Sequence, residues 1–349
     1  MKLVFDEAQK RHDPKFFLSS GASKPNPEVP RRADILLAAG LDAGLELEVP
    51  RDYGLDPAAS VHSPEYLDFL QNIFARWSRI EGASAEVVPN VHPDRRDGDY
   101  PASAVGQAGY HVADTSAPIN AETFGSALRS AHSAAHAAEL ILSGHPAAYA
   151  LCRPPGHHAF RDLAGGFCFL NNSAIAAQRL RRDHDRVAII DVDLHHGNGT
   201  QGIFYARDDV LTVSLHADPV RFYPFFWGHA SERGKDAGLG FNLNLPLPRH
   251  TADDGFLSAL DRGLERVAAF APGAIVIALG LDASEHDPFG GLAVTTAGFQ
   301  RIGEHLARLE RPAVIVQEGG YISEVLGQNL TSFLNGFTSV HRVVKNSRD

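Results

Sequence analysis

Only two cysteines, Cys152 and Cys168, occur in 349 residues. That is too few for a disulfide framework, and nothing else in the chain points to an oxidising compartment. Each sits in an apolar stretch and reads as a small buried residue. No apolar run approaches the ~20 residues that a membrane helix requires. The opening Met1-Lys2-Leu3-Val4-Phe5 meets Asp6 too soon for a secretory signal, so a cytoplasmic protein with no membrane partner is expected. Positive charge is in deficit: 32 Lys and Arg against 42 Asp and Glu leave a formal charge of -10. Such a balance argues against nucleic acid as a partner. It would favour cationic ligands, but it is equally an ordinary solubility device. Internal repeats and low-complexity tracts are also missing.

What remains is a globular composition, 44% hydrophobic and 21% charged, long enough to bury a core without staples. From about residue 121 helical periods alternate with short apolar strands. Helices are predicted over 121–143, closed by Gly144, and over 173–182, 253–270 and 296–309. Continuous apolar runs predict strands over 147–151, 187–190, 210–215, 274–279 and 313–316. Strands apolar on both faces and separated by helices predict a mostly parallel sheet with helices on both sides. Residues 88–119 are rich in Pro, Gly, Asp and Tyr without a clear period, and are predicted to be a long irregular loop of functional or interfacial use. Residues 343–349 read as a tail.

Ligands in such sheets bind beyond the carboxyl ends of the strands, and the polar chemistry of the chain concentrates there. Asp193 and His195 follow one buried strand and, two apart, point the same way. Asp282 follows another. Two carboxylates and an imidazole suit zinc and leave a position open for water, as catalytic sites do. Strand-end Asp also caps helices, so Asp191 and Asp193 alone leave both readings open. Arg153-Pro154-Pro155-Gly156-His157-His158 makes a stiff corner presenting two imidazoles, one of which can take the proton from a zinc-acidified water. In Glu318-Gly319-Gly320-Tyr321 the glycines allow close approach of backbone, and the Tyr321 hydroxyl can donate to a developing oxyanion.

Together these segments resemble the histone deacetylase superfamily, including the bacterial acetylpolyamine amidohydrolases. The resemblance runs through RPPGHH (153–158), GGFCFLNN (165–172), DVDLHHGNGTQ (191–201), VSLH (213–216), DASEHDPFGGL (282–292) and EGGY (318–321). It implies a single arginase/deacetylase-like α/β domain over 1–342, with 88–119 as an inserted mouth and dimerisation loop. By that resemblance Asp193, His195 and Asp282 are the zinc ligands, a site iron or cobalt would also accept. His157 and His158 are the tandem pair with His158 the general base, Asp191 orients His157, and Tyr321 polarises the carbonyl. Phe167 forms an aromatic wall, with Gly166, Gly319 and Phe225 beside the substrate. Structural potassium is implied as well: an inner site at Asp191, Asp193, His195, Ser214 and Leu215, and an outer one at Phe204, Arg207 and Val210. Asn198 stands where some relatives place a second Asp, so His158 is expected to be less basic than in those enzymes.

The expected activity is hydrolysis of a small acyl amide by a homodimer or dimer of dimers. Polyamine enzymes of the family carry acids at the tunnel mouth, and here Val105 takes the place of a Glu. Asp114, Asp94, Asp97 and Asp99 are possible replacements. A mouth of Val105, Tyr110, Phe222, Phe225, Phe226 and Trp227 would suit a neutral or xenobiotic amide, unless the aromatic run simply packs in the core. A protein lysine deacetylase and a non-catalytic acyl-amine binding module are the remaining alternatives. Against the last, His157, His158, Asp191, Asp193, His195, Asp282 and Tyr321 are all present.

Overall fold

Every strand predicted from a continuous apolar run is present in the computed structural model, which describes residues 1–341; the expected tail, 343–349, lies outside them. The strands are β1 (Lys2–Val4), β2 (Phe16–Ser19), β3 (Ala22–Pro25), β4 (Glu46–Glu48), β5 (Ala147–Ala150), β6 (Val187–Asp191), β7 (Val210–Ala217), β8 (Asn242–Leu247), β9 (Ala274–Leu279) and β10 (Ala313–Gln317). The helices are α1 (Arg31–Asp42), α2 (Asp56–Ala59), α3 (Pro64–Trp77), α4 (Ala104–His111), α5 (Thr123–Leu142), α6 (Asn172–Leu180), α7 (Asn198–Phe204), α8 (Asp253–Phe270), α9 (Thr296–Ala307) and α10 (Leu326–Val340).

Eight strands form one sheet in the order β4-β1-β5-β10-β9-β6-β7-β8, and each of its pairings is parallel. Side chains alternate between its faces. Leu3, Tyr149, Ile190, Ile277 and Ile315 pack with α1, α8, α9 and α10 on one side. Val4, Ala148, Ile189, Val276 and Val316 pack with α3, α5 and α6 on the other. With both faces covered, the strands read as unbroken apolar runs. Polar caps set several helix starts: the Asn171 side chain accepts from the Ala174 N–H and the Thr295 side chain from that of Gly298.

The segment 88–119 departs from expectation. It is not irregular throughout, because it contains α4, whose start is fixed by the Ser103 side chain accepting from the Gly106 N–H. Two glycines and two alanines in eight residues hid the helical period. The ends of the segment are pinned by an antiparallel bridge between Val87 and Ile119, and Val112 bridges to Ala164. β2 and β3 form a separate antiparallel pair, and residues 17–20 of that hairpin reach the cavity above the sheet's carboxyl edge. No helix among the described residues is long and apolar enough to cross a membrane.

Candidate active site

The loops that leave β5, β6, β9 and β10 converge. Asp193, His195 and Asp282 are buried, with ligand atoms all within 4.8 Å of one another. Their carboxylates tie down loops rather than cap a helix: Asp193 accepts from the N–H of His195 (2.8 Å) and of Gly319 (2.8 Å), and Asp282 from that of Leu194 (3.1 Å). Helix α7 starts at Gly197 with no side-chain cap, which disposes of the capping alternative. His195 Nδ1 lies 3.1 Å from Asp282 and 3.3 Å from Asp193. Burial opposes the imidazolium, yet the two carboxylates lift the His195 pKa to about 9, a measure of how strongly this spot attracts positive charge. Two carboxylates and one imidazole, fully enclosed, fit a zinc-class cation. A Cβ at Gly319 would overlap the Asp282 and Asp193 carboxylates. Gly319 is therefore placed behind the ligand set and not on the substrate wall, since close packing against carboxylates is what requires a glycine there.

The tandem histidines lie with ring centres 4.0 Å apart but in unlike surroundings. His157 Nδ1 faces Asp191 at 2.9 Å, and His158 Nδ1 donates to Asn198 Oδ1 at 2.7 Å, which leaves the other nitrogen of His158 for chemistry. Burial opposes charge on His157, but Asp193 and Asp191 raise its pKa well above the usual imidazole value. His158 is lowered well below it by burial and by the neighbouring His157 and His195. Asn198 pulls upward, but burial and the two neighbouring imidazoles outweigh the hydrogen bond of a neutral amide.

Two supports had no role assigned from the sequence: Glu318, seen there only as part of its motif, and Arg32. The buried Glu318 carboxylate accepts from the N–H groups of Gly156 (2.7 Å) and His157 (3.0 Å) and from the Ser173 hydroxyl (2.7 Å), fixing the histidine corner to the β10 loop. Arg32 donates to the carbonyls of Gly320 (2.5 Å) and Glu318 (2.8 Å) and pairs with Glu28 at 2.7 Å, its guanidinium 4.9 Å from the Tyr321 ring centre. Arg32→Met should cost about 3 kcal/mol of unfolding free energy, read from urea denaturation. The low end of the range for breaking a buried ion pair applies because Glu28 keeps Arg153 at 2.9 Å.

Above this floor opens a cavity of about 730 Å³, with His158, His195 and Tyr321 at its base and Phe160, Phe167, Phe222, Tyr223, Phe289 and Trp227 along its sides. Gly166 lies on its wall. Phe225 and Phe226, 50% and 84% exposed, belong to its rim and not to the core. Val105 and Tyr110 do not line it: Val105 packs half-buried against the body through α4, and Tyr110 carries the Arg96 guanidinium at 4.2 Å. Asp94, Asp97 and Asp99 do not line it either. The acids that do are Asp114, whose carboxylate accepts from Tyr223 Oη (2.7 Å), and Asp162, paired with Arg96 at 3.1 Å. Tyr223 was overlooked because one more ring in an aromatic run reads as packing.

Of the residues expected at potassium, Asp191 and Ser214 are Cα partners across β6 and β7, with Leu215 buried next in line. Ser214 Oγ is hydrogen-bonded to His216 Nδ1 at 2.8 Å. Phe204, Arg207 and Val210 lie along the turn from α7 into β7, where the Arg207 N–H donates to the Phe204 carbonyl at 2.9 Å.

A parallel sheet whose loops bring two carboxylates and an imidazole, a histidine pair and a tyrosine to the foot of one cavity defines a metal-dependent hydrolase. The chain belongs to the histone deacetylase family: the histone deacetylase domain matches residues 26–337. It is 46% identical over 338 residues to an acetylpolyamine amidohydrolase of Burkholderia pseudomallei, covering 97% of this chain and 98% of that protein. To acetylpolyamine amidohydrolase 1 of Pseudomonas aeruginosa it is 44% identical over 347 residues, 98% of this chain and all of the other. The crystal structure of acetylpolyamine aminohydrolase from Burkholderia pseudomallei superposes with a TM-score of 0.95 at 45% identity, covering 98% and 99% of the two chains. Membership makes the protein a hydrolase of linear amides.

Proposed function

We propose that the chain removes the acetyl group from an acetylated small amine of the polyamine type. The observation that carries this reading is the convergence of Asp193, His195, Asp282, His158 and Tyr321 at the base of one aromatic-walled cavity, and the polyamine class comes from the relatives' names. Asp193, His195 and Asp282 would hold zinc, which when bound polarises the amide carbonyl and acidifies water. His158, neutral and with one nitrogen free, takes the proton from the attacking water. Tyr321 donates its hydroxyl to the carbonyl oxygen as negative charge grows there. The water oxygen bonds to the carbonyl carbon, the C–N bond breaks, and the proton held by His158 passes to the departing amine. Asp191 keeps His157 oriented and charged beside this path. Asp191 and Ser214 are the core of the proposed potassium site, which holds the β6 and β7 ends and takes no part in these steps. The segment around α4, with Val91 and Tyr100 exposed, is the surface on which we place a second copy.

The test is acetate release from N-acetylputrescine by zinc-loaded protein. Hydrolysis by the wild type with a loss of about 10²–10⁴-fold in His158→Ala is expected for removal of a general base. No turnover of any acetylated amine by the metal-loaded wild type would falsify the reading. A neutral acyl amide as preferred substrate is the second reading, favoured by the neutralisation of Asp162 by Arg96 at the mouth.

A further inference from the structure

Asp114 stands on the cavity wall with its carboxylate already engaged. It accepts from the Ser116 N–H (2.7 Å), the Gly166 N–H (3.0 Å) and the Tyr223 hydroxyl (2.7 Å). The two backbone donors belong to loops that also line the cavity and cannot leave without moving them. The Tyr223 hydroxyl is different, since it ends a ring that could keep its place without it: the ring stands at 90° to His158 with centres 4.9 Å apart. Burial, with the charge of Asp114 next, raises the Tyr223 pKa well above the usual phenol value, so the phenol stays protonated and remains a donor. The other acid at the mouth, Asp162, faces Arg96. Arg221, also on the rim, has no acidic partner among the described residues. Asp114 is thus the carboxylate on the wall that no cation neutralises.

Accepting the amide hydrolysis proposed above, we infer that Tyr223 is a specificity-determining residue: its hydroxyl occupies Asp114 and so reduces the advantage of substrates that carry a positive charge beyond the amide. An ammonium in the cavity competes with the phenol for one carboxylate oxygen. A charge-assisted hydrogen bond is stronger than a neutral one, but it gains only the difference while Tyr223 is in place. Removing the hydroxyl leaves Asp114 with a free acceptor site in a half-buried setting, where an ammonium is the best partner available.

The experiment compares kcat/KM of zinc-loaded full-length protein for N-acetylputrescine and for its neutral isostere N-pentylacetamide. In Tyr223→Phe the cationic-to-neutral ratio should rise about fivefold, the order expected when a charged donor replaces a neutral one. In Asp114→Asn the ratio should fall below that of the wild type, and adding Tyr223→Phe to that variant should no longer raise it. An unchanged ratio in Tyr223→Phe, both substrates slowing together, assigns the ring a packing role and overturns the inference. A lower ratio overturns it too, because the hydroxyl would then be holding Asp114 in place for the amine. Persistence of the rise in the double variant excludes Asp114 as its source. Wild type that hydrolyses both substrates while the ratio stays fixed sinks this inference alone. Wild type that hydrolyses neither sinks the proposed activity and this inference with it.

Discussion

Exhaustive chelation of the purified protein should abolish amide hydrolysis and lower its melting temperature, and one equivalent of zinc should restore both. The argument rests on charge. Asp193 and Asp282 are fully buried with the imidazole of His195 between them, and burial together with the charge of Asp193 already pushes the Asp282 pKa up. Buried carboxylates that lose a cationic partner carry a penalty of several kcal/mol. A cation bound at about 100 times its Kd contributes about 2.7 kcal/mol, which for a chain of this size is a shift of about 4 °C. Asp282→Asn separates the two consequences. It should lose about 10³-fold or more in kcat, because catalytic groups that act as a unit fail together. Yet its melting temperature should hardly respond to chelator, because the variant lacks both a ligand and one of the crowded charges. Activity that survives complete metal removal, or a wild-type melting temperature indifferent to it, would count against the metal site.

How much of this was readable beforehand follows from how local each signal is. The strands β6, β9 and β10 were legible because burial on both faces leaves an unbroken apolar run, and covering helices give the period between them. β4 was not: its Glu-Leu-Glu lies at an exposed sheet edge and carries no such mark. β8 was hidden for another reason, since the buried Asn242 and Asn244 interrupt its apolar pattern with side chains that bond to Gln201 and the 229–232 turn. Among site residues, Asp193 and His195 announce themselves by a spacing of two after a strand, and His157 and His158 by adjacency in a proline-stiffened corner. Arg32 has no comparable signature. With Glu28 it looks like an ordinary i,i+4 pair at a helix start, and the carbonyls it serves lie 286 and 288 residues away. The expected roles of Val105 and Tyr110 failed because alignment positions carry no facing. α4 turns Val105 toward the body, and the acid that does reach the cavity, Asp114, is recognisable only once Tyr223 is seen beside it.

Tyr321→Phe should lower kcat by about 10²–10³-fold while KM stays within about twofold, the loss produced by deleting one preorganised donor to a developing oxyanion. The ring is held without its hydroxyl: Phe289 and Phe167 pack edge-on at 4.8 and 5.9 Å, the Arg32 guanidinium lies 4.9 Å from its centre, and the Tyr321 N–H donates to Asp287 at 3.0 Å. Each of these contacts survives in the variant, so its unfolding free energy should stay close to wild type. Among the described residues the Tyr321 hydroxyl has no hydrogen-bond partner within the protein, although it faces the cavity beside His158 and His195. It is not one of the buried polar atoms left unpaired, so it stands open to the cavity and free to donate to a substrate carbonyl. Burial keeps the phenol pKa well above its usual value, so it stays a donor at neutral pH. A variant with unchanged kcat and a raised KM would make Tyr321 a ground-state binding group. The oxyanion would then have to be stabilised by the metal alone, and the proposed role of the tyrosine would be wrong.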